Sequence, residues 1–214
     1  MLNSYGFDMW AKDYDKAVDV ADENNAYPFA GYKKLMNAIY GTVLDRKPAR
    51  VLDIGIGTGF LASKLYEQGN DITGIDFSDE MLNESKLKMP NAKFIHHDFR
   101  NGLPNELRDT KFDFIISTYA FHHLADSEKV GFLVSLLNNL NDDGRIIVGD
   151  VSFNTREESE ECRKLSGDAW DKDEYYFVFD ELEDSLKEKC EVKYHQFSHC
   201  SGILEISLLN KFNK

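Results

Sequence analysis

The run Val51-Leu-Asp-Ile-Gly-Ile-Gly-Thr-Gly-Phe60 constrains this chain more than any other stretch. An apolar strand ends near an acidic residue and passes straight into Gly-x-Gly-x-Gly, with a helical stretch over 60–69 behind it. Glycine makes the sharp strand-to-helix turn at little steric cost and leaves no Cβ between the loop and a ligand. The spacing then narrows the ligand. A dinucleotide loop reads Gly-x-Gly-x-x-Gly and receives a pyrophosphate at the helix N-terminus. Here the third glycine, Gly59, comes one residue early, and Phe60 stands where the dinucleotide loop has glycine. Asp53 would face that pyrophosphate with a carboxylate. A cationic, phosphate-free ligand suits this loop better.

Strand and helix signals alternate through the middle of the chain, which predicts an α/β fold with a doubly wound, mostly parallel sheet and helices on both faces. Strands are expected at Arg50–Ile54, 71–75, 92–96, 112–117 and 145–151. Ser78 is placed to cap the helix after the second strand, with Asp79 and Glu80 in its first turn opposing the helix dipole. Asp126 is expected to cap a helix over 126–140, and Asn141-Asp-Asp-Gly144 to turn into the fifth strand. Two further strands, 191–197 and 203–209, with Gly202 in the turn between them, predict an antiparallel C-terminal hairpin. The chain reads as one domain, 1–214. Two segments lie outside this alternating core: 1–46, with apolar and aromatic positions at helical spacing, and 154–188, a long charged insertion with aromatic residues at its centre.

Composition bears on partners. A formal net charge of −13 and a pI near 4.9 disfavour nucleic acid, because non-specific affinity for it comes from neutralising phosphates. No apolar run approaches the roughly 20 residues of a membrane span, and the N-terminus lacks the basic and apolar regions of a secretory signal. Three scattered cysteines do not make a disulfide framework. A cytoplasmic protein with neither membrane nor nucleic-acid partner is expected, and nothing in the chain specifies its oligomeric state.

Asp53-Ile-Gly55-Ile-Gly57-Thr-Gly59 resembles the first motif of class I S-adenosylmethionine-dependent methyltransferases. Thr73-Gly-Ile-Asp76-Phe77-Ser78, Phe94-Ile-His-His-Asp98-Phe99 and Phe112-Asp-Phe-Ile-Ile-Ser117 resemble the second, third and fourth, in the family's order. The resemblance implies a seven-stranded sheet, S-adenosyl-L-methionine as cofactor, and methyl transfer to an acceptor, with residues 1–46 as a helical N-terminal lid and 154–188 as an insertion that shapes the substrate pocket. Asp76, roughly 20 residues after Gly55, would accept hydrogen bonds from a ribose diol, a device nicotinamide enzymes share. Phe77 would pack on adenine, Asp98 and the Phe99 backbone would meet its amino edge, and Asp53 would lie near the cofactor's amino group. The Ser117 backbone and Tyr14 would contact the methionine moiety. Trp10-Ala-x-x-Tyr14-Asp15 and Phe121-His-His-Leu124 look most like the branch holding quinone-biosynthesis enzymes and many uncharacterised bacterial proteins. Strand four lacks the Asn/Asp-Pro-Pro-aromatic signature of enzymes that methylate planar amino groups, which favours a small-molecule acceptor.

His122 and His123 follow strand four near the expected transfer site, where an imidazole serves as a base near neutral pH. A similar turn occurs in family members with different acceptors, so a structural role is the competing reading. His195, His199 and Cys200 offer ligand atoms at short spacing, but a structural zinc normally takes four, so no metal site is expected. Two other functions stay open: a cofactor-binding protein without turnover, and a nicotinamide-dependent oxidoreductase, which Phe60 and Asp53 disfavour.

Overall fold

The computed structural model describes residues 22–209. Its sheet runs β3-β2-β1-β4-β5-β8-β7, with a short β6 paired to β5 off that path. The strands are β1 (Arg50–Ile54), β2 (Asp71–Asp76), β3 (Lys93–His96), β4 (Phe112–Thr118), β5 (Leu140–Phe153), β6 (Phe177–Val178), β7 (Cys190–Gln196) and β8 (Ser201–Leu208). β1 to β5 pair in parallel along the main path, while β8 runs antiparallel to both β5 and β7. The doubly wound sheet with its antiparallel C-terminal hairpin is therefore as expected from the sequence, with β6 added by the insertion.

Helices α1 (Tyr32–Leu44), α2 (Phe60–Glu67), α3 (Asp79–Lys88), α4 (Asp126–Leu136), α5 (Arg156–Ser166) and α6 (Phe179–Leu186) connect and cover these strands. Side chains alternate across a strand with period two, so β1 serves two cores at once. Leu52 and Ile54 enter a cluster with Phe132, Leu133 and Leu136 of α4 and with Leu182 and Leu186 of α6. Val51 enters the opposite cluster with Leu35, Ile39 and Val43 of α1 and with Leu61 and Leu65 of α2. Burying each such side chain stabilises the fold by about 1.5–3 kcal/mol, so the central strand is fixed from both faces. α1, which falls within 1–46, is thus a layer helix. It lies so close to β5 that a Cβ on Gly149 would come 2.5 Å from Leu35 Cδ2.

Three local expectations need correction. The cap of α4 is Ala125, whose N–H donates to Glu128 Oε2 at 3.0 Å, and Asp126 lies in the first turn paired with Lys129. The turn expected at 141–144 is a bulge: Phe112 pairs with Leu140 but Phe114 with Arg145, so β5 carries the extra residues. Gly202 lies inside β8 opposite Gln196, and the hairpin turn spans 197–200. Gly202 serves packing instead, since a Cβ there would meet the Tyr194 hydroxyl at 2.4 Å.

The strand order reverses between β1 and β4. Loops that follow these two strands diverge to opposite faces, which opens a crevice at the carboxyl edge of the sheet.

Candidate active site

The glycine loop borders that crevice. Gly55, Gly57 and Gly59 all take positive φ, at 71°, 54° and 71°. Their surroundings differ. A Cβ on Gly55 would lie 2.7 Å from Ala120 Cβ, and one on Gly59 2.6 Å from Ser85 Oγ, so those two glycines allow close packing. A Cβ on Gly57 would meet nothing within 4 Å, so this glycine faces open space. Ser85 Oγ donates to the Gly57 carbonyl at 2.8 Å and holds the loop to α3.

Asp76, at the end of β2, clasps the loop from the other side. Its Oδ2 accepts the Gly57 N–H at 2.8 Å and its Oδ1 the Ser78 N–H at 2.9 Å. Ser78 caps α3 as expected, accepting the Met81 N–H. Phe77 follows with 61% of its surface exposed, an apolar ring just past the carboxyl end of β2. His96 Nε2–H donates to the Phe77 carbonyl at 2.6 Å and His97 Nε2–H to that of Gly102 at 2.9 Å, so both imidazoles hold loops.

Asp53 is buried in β1, and its Oδ1 has no hydrogen-bond partner among the described residues. Burial pushes its carboxyl up to about 8, and the negative charge of Asp76 adds to the shift. A buried acceptor left unpaired costs about 1–3 kcal/mol, so the position is one that a bound cation would relieve. Ser117, the penultimate residue of β4, lies beside it, its Oγ donating to the Ile54 carbonyl at 2.7 Å. Asp98 caps the short turn Phe99–Asn101 and is gripped by Arg100, whose Nη2 lies 2.7 Å from Oδ2. That hydrogen bond holds the Asp98 carboxyl below its ordinary range. Phe99 is buried and stacks on Phe121 and Phe132. Tyr14 lies outside the described residues.

His122 stands at the centre of a second constellation. Its Nδ1 lies 2.7 Å from Asp150 Oδ1, and its backbone N–H donates to Asp150 Oδ2 at 3.1 Å. Its Nε2 is 3.3 Å from Glu174 Oε1. Burial disfavours the charged ring, but Asp150 and Glu174 outweigh it and raise His122 above the ordinary histidine value. The His123 ring meets that of His122 edge-on at 4.3 Å, and burial together with its charged neighbour lowers His123. The insertion is bound to this turn by its backbone: the Tyr175 N–H donates to the His122 carbonyl at 2.8 Å. Buried Lys129 donates to the Tyr175 carbonyl and, at 2.8 Å, to Asp126 Oδ1. Tyr176 donates to Glu174 Oε2 at 2.7 Å and meets the Tyr27 hydroxyl, so segment 22–31 joins the same network. Trp170 stacks on Tyr27 at 5.2 Å.

Sequence reading missed Asp150, Glu174 and Tyr119. Asp150 gave a usable signal, since it follows an apolar run within its strand as Asp53 and Asp76 do. Glu174 gave none, because it reaches His122 only through the path of the insertion. Tyr119 takes a left-handed φ of 50°, stacks on Tyr32 at 5.0 Å, and buries a hydroxyl without a partner among the described residues.

Comparison with known proteins gives this geometry a context. Residues 45–198 match the family described as a methyltransferase domain. A protein of Alkaliphilus oremlandii described as an uncharacterized methyltransferase is 32% identical over 206 residues, covering 96% of this chain and 92% of its own. Another, from Geobacillus thermodenitrificans, is 38% identical over 153 residues, covering 71% and 67%. The fold matches the magnesium protoporphyrin IX methyltransferase of Synechocystis with bound SAH, at a TM-score of 0.68 and 20% identity, over 96% of this chain and 95% of that one. It also matches an S-adenosylmethionine-dependent methyltransferase of Clostridium acetobutylicum, at 0.65 and 17%, over 90% and 98%.

Proposed function

The chain belongs to the methyltransferase domain family, and from that premise we propose that it transfers a methyl group from S-adenosylmethionine to a small-molecule acceptor beside His122. The observation that carries this reading is the orphaned Asp53 Oδ1, buried in the strand that leads into the glycine loop and its open Gly57. An ammonium group is the ligand chemistry that satisfies such a carboxylate, and a pyrophosphate is the one it repels. Around it, Asp76 suits a ribose diol, Phe77 offers an exposed ring for adenine, and Asp98 with the Phe99 backbone suits its polar edge. The Ser117 backbone and Tyr14 would take the methionine end. When bound, the cofactor supplies an electrophilic methyl group on a sulfonium.

The chain's own contribution is positioning, exclusion of water, and custody of a proton. Asp150 holds His122 Nδ1–H, which leaves Nε2 to take a proton from the attacking atom of the acceptor. Glu174 lies against that same Nε2 and balances the charge that results. His123, held less basic, borders the acceptor as a neutral ring. The insertion 154–188 and the segment before α1 shape the acceptor pocket, their joint built from Tyr27, Trp170 and Tyr176. The net charge of −13 supports a small acceptor over a nucleic acid.

Calorimetric titration with S-adenosylhomocysteine, with NAD as the parallel ligand, tests the cofactor. Micromolar binding of the former alone is expected, and Asp76→Ala is expected to weaken it at least tenfold, about 1.4 kcal/mol. Binding of NAD alone overturns the reading. Labelled S-adenosylmethionine with pooled small metabolites then tests the acceptor, and transfer to none of them would leave a binding protein without turnover.

A further inference from the structure

The hairpin turn and the insertion helix bring together donor atoms that lie far apart in the chain. Cys162 is on α5, while His199 and Cys200 are in the turn between β7 and β8. The two sulfurs and an imidazole nitrogen all lie within 4.8 Å of one another. We propose that Cys162, His199 and Cys200 form a binding site for a thiophilic divalent cation of the zinc type.

Donor chemistry selects the cation. Two sulfurs and one imidazole suit zinc and its neighbours, whereas magnesium and calcium take oxygen ligands. Binding would replace the S–H protons of both thiols, so two thiolates and a neutral imidazole balance the double charge of the metal. Polar groups contact both sulfurs, among them the Pro28 carbonyl, to which Cys200 Sγ–H donates at 3.9 Å and which metal binding would release. Ser166 Oγ lies 3.8 Å from Cys162 Sγ, and Ser198 Oγ donates to Cys200 Sγ at 3.9 Å. Such contacts around the ligand atoms stabilise and orient them.

Access and scaffold also fit. Both thiols are buried while His199 is exposed, so the site has a closed inner side and an open outer one. The cleft on the open side is lined by Glu158, Glu161, Cys162, Leu165, Gln196 and His199. A water molecule entering from there would complete a tetrahedron. The turn is anchored independently, for the Ser152 N–H donates to the Cys200 carbonyl at 3.1 Å. His195, in contrast, is exposed on β7 and lies outside this group of three, and Cys162 is the ligand-bearing neighbour that sequence spacing does not reveal. A bound cation would cross-link α5 to the hairpin and brace the insertion that presents Glu174 to His122.

The test uses the full chain, chelator-treated and kept reduced, titrated with Co(II) and then Zn(II). The expected result is one Co(II) per chain with sulfur-to-cobalt charge-transfer absorption and the visible bands of tetrahedral cobalt, bleached by Zn(II). His199→Ala alters an exposed side chain and is expected to weaken Co(II) binding at least tenfold without unfolding the protein. Cys162→Ser is expected to remove most of the charge-transfer band, and Cys190→Ser, at a buried thiol elsewhere, to change nothing. Zn(II) should raise the melting temperature of the wild-type chain and not that of His199→Ala. The proposal is overturned by cobalt spectra without a thiolate band, or by affinity indifferent to His199→Ala. It is equally overturned if the reduced chain takes up no cobalt and Cys162 and Cys200 simply join as a disulfide in air.

Discussion

Glu174 Oε1 lies 3.3 Å from His122 Nε2, across the ring from the 2.7 Å contact between Asp150 Oδ1 and Nδ1. One imidazole thus stands between two carboxylates, one delivered by β5 and the other by the insertion. Raising of the His122 pKa above the ordinary value ties stability and activity to the same proton. With a raised folded value, the stabilisation is complete below the unfolded value of about 6.5 and is lost as pH rises through the folded value. Asp150→Asn is expected to cost about 3–5 kcal/mol near pH 6, as for removing one partner of a buried pair. The deficit should shrink in alkaline buffer; urea melts at the two pH values check this.

Activity should follow the opposite course. If Nε2 accepts the proton, the acidic limb of the pH–rate profile reports His122, and activity rises with pH through its raised pKa. Glu174→Gln removes one of the two charges that raise it, so the limb is expected to move to lower pH while the alkaline plateau stays within about threefold. A limb that does not move would remove His122 from the base role, whatever the variant does to stability.

Asp53 separates folding from binding. Its carboxyl is raised to about 8, so the folded chain holds a proton that the unfolded chain releases above about 4. Stability conferred by other groups is therefore eroded as pH climbs from there to about 8. Asp53→Asn removes that penalty and is expected to stabilise the ligand-free protein by on the order of 1–2 kcal/mol at neutral pH. The same change should weaken S-adenosylhomocysteine binding at least tenfold, because the ammonium loses its counter-charge. A variant that gains stability and keeps full affinity would show that Asp53 serves no ligand.

Gly55 and Gly57 share one sequence pattern and one backbone region, yet their replacement should read differently. Alanine in the left-handed region costs about 1–2 kcal/mol at either position. At Gly55 the new Cβ also strikes Ala120, and overpacking adds about 1–3 kcal/mol. At Gly57 it enters the open space where a ligand would approach. Gly57→Ala is expected to be the more stable of the two and, relative to wild type, to lose at least tenfold in S-adenosylhomocysteine affinity. Thermal melts beside calorimetry separate the two effects.

Those two glycines also mark how far the sequence could be read. The loop, the acidic ends of β1 and β2 and the cap at Ser78 were legible because each depends on residues close in the chain. The hairpin was legible for the same reason, although its turn was placed too late because Gly202 meets a packing demand from Tyr194 that local pattern does not register. The long-range part of the site was not legible. His122, Asp150 and Glu174 come from three segments, and only the parallel pairing of β4 with β5 and the path of the insertion bring them together. Cys162 and Cys200 meet in the same way, and their neighbourhood depends on how α5 lies against the hairpin. At Asp98 the motif was legible, but the local bond from Arg100 leaves no trace in spacing alone.

Tyr119 supplies the last prediction. A bulky residue with positive φ is uncommon, and strain of this kind persists where surrounding structure enforces it, often at functional sites. Here the Tyr119 N–H donates to the Gly149 carbonyl at 2.8 Å, and the ring is held against Tyr32 and Phe29. The hydroxyl, by contrast, is buried without a partner among the described residues, and burial raises its pKa further from any physiological range. A hydroxyl that is never satisfied is a net cost, and Tyr119→Phe should then raise the stability of the ligand-free chain by about 1 kcal/mol. If its partner arrives with the ligand, the same variant should bind cofactor or acceptor about tenfold more weakly, read as S-adenosylhomocysteine affinity and acceptor KM. Gain of stability with loss of binding would assign the hydroxyl to the bound state. Loss of stability in the free protein would mean that the hydroxyl already has a partner there, and would sink the assignment.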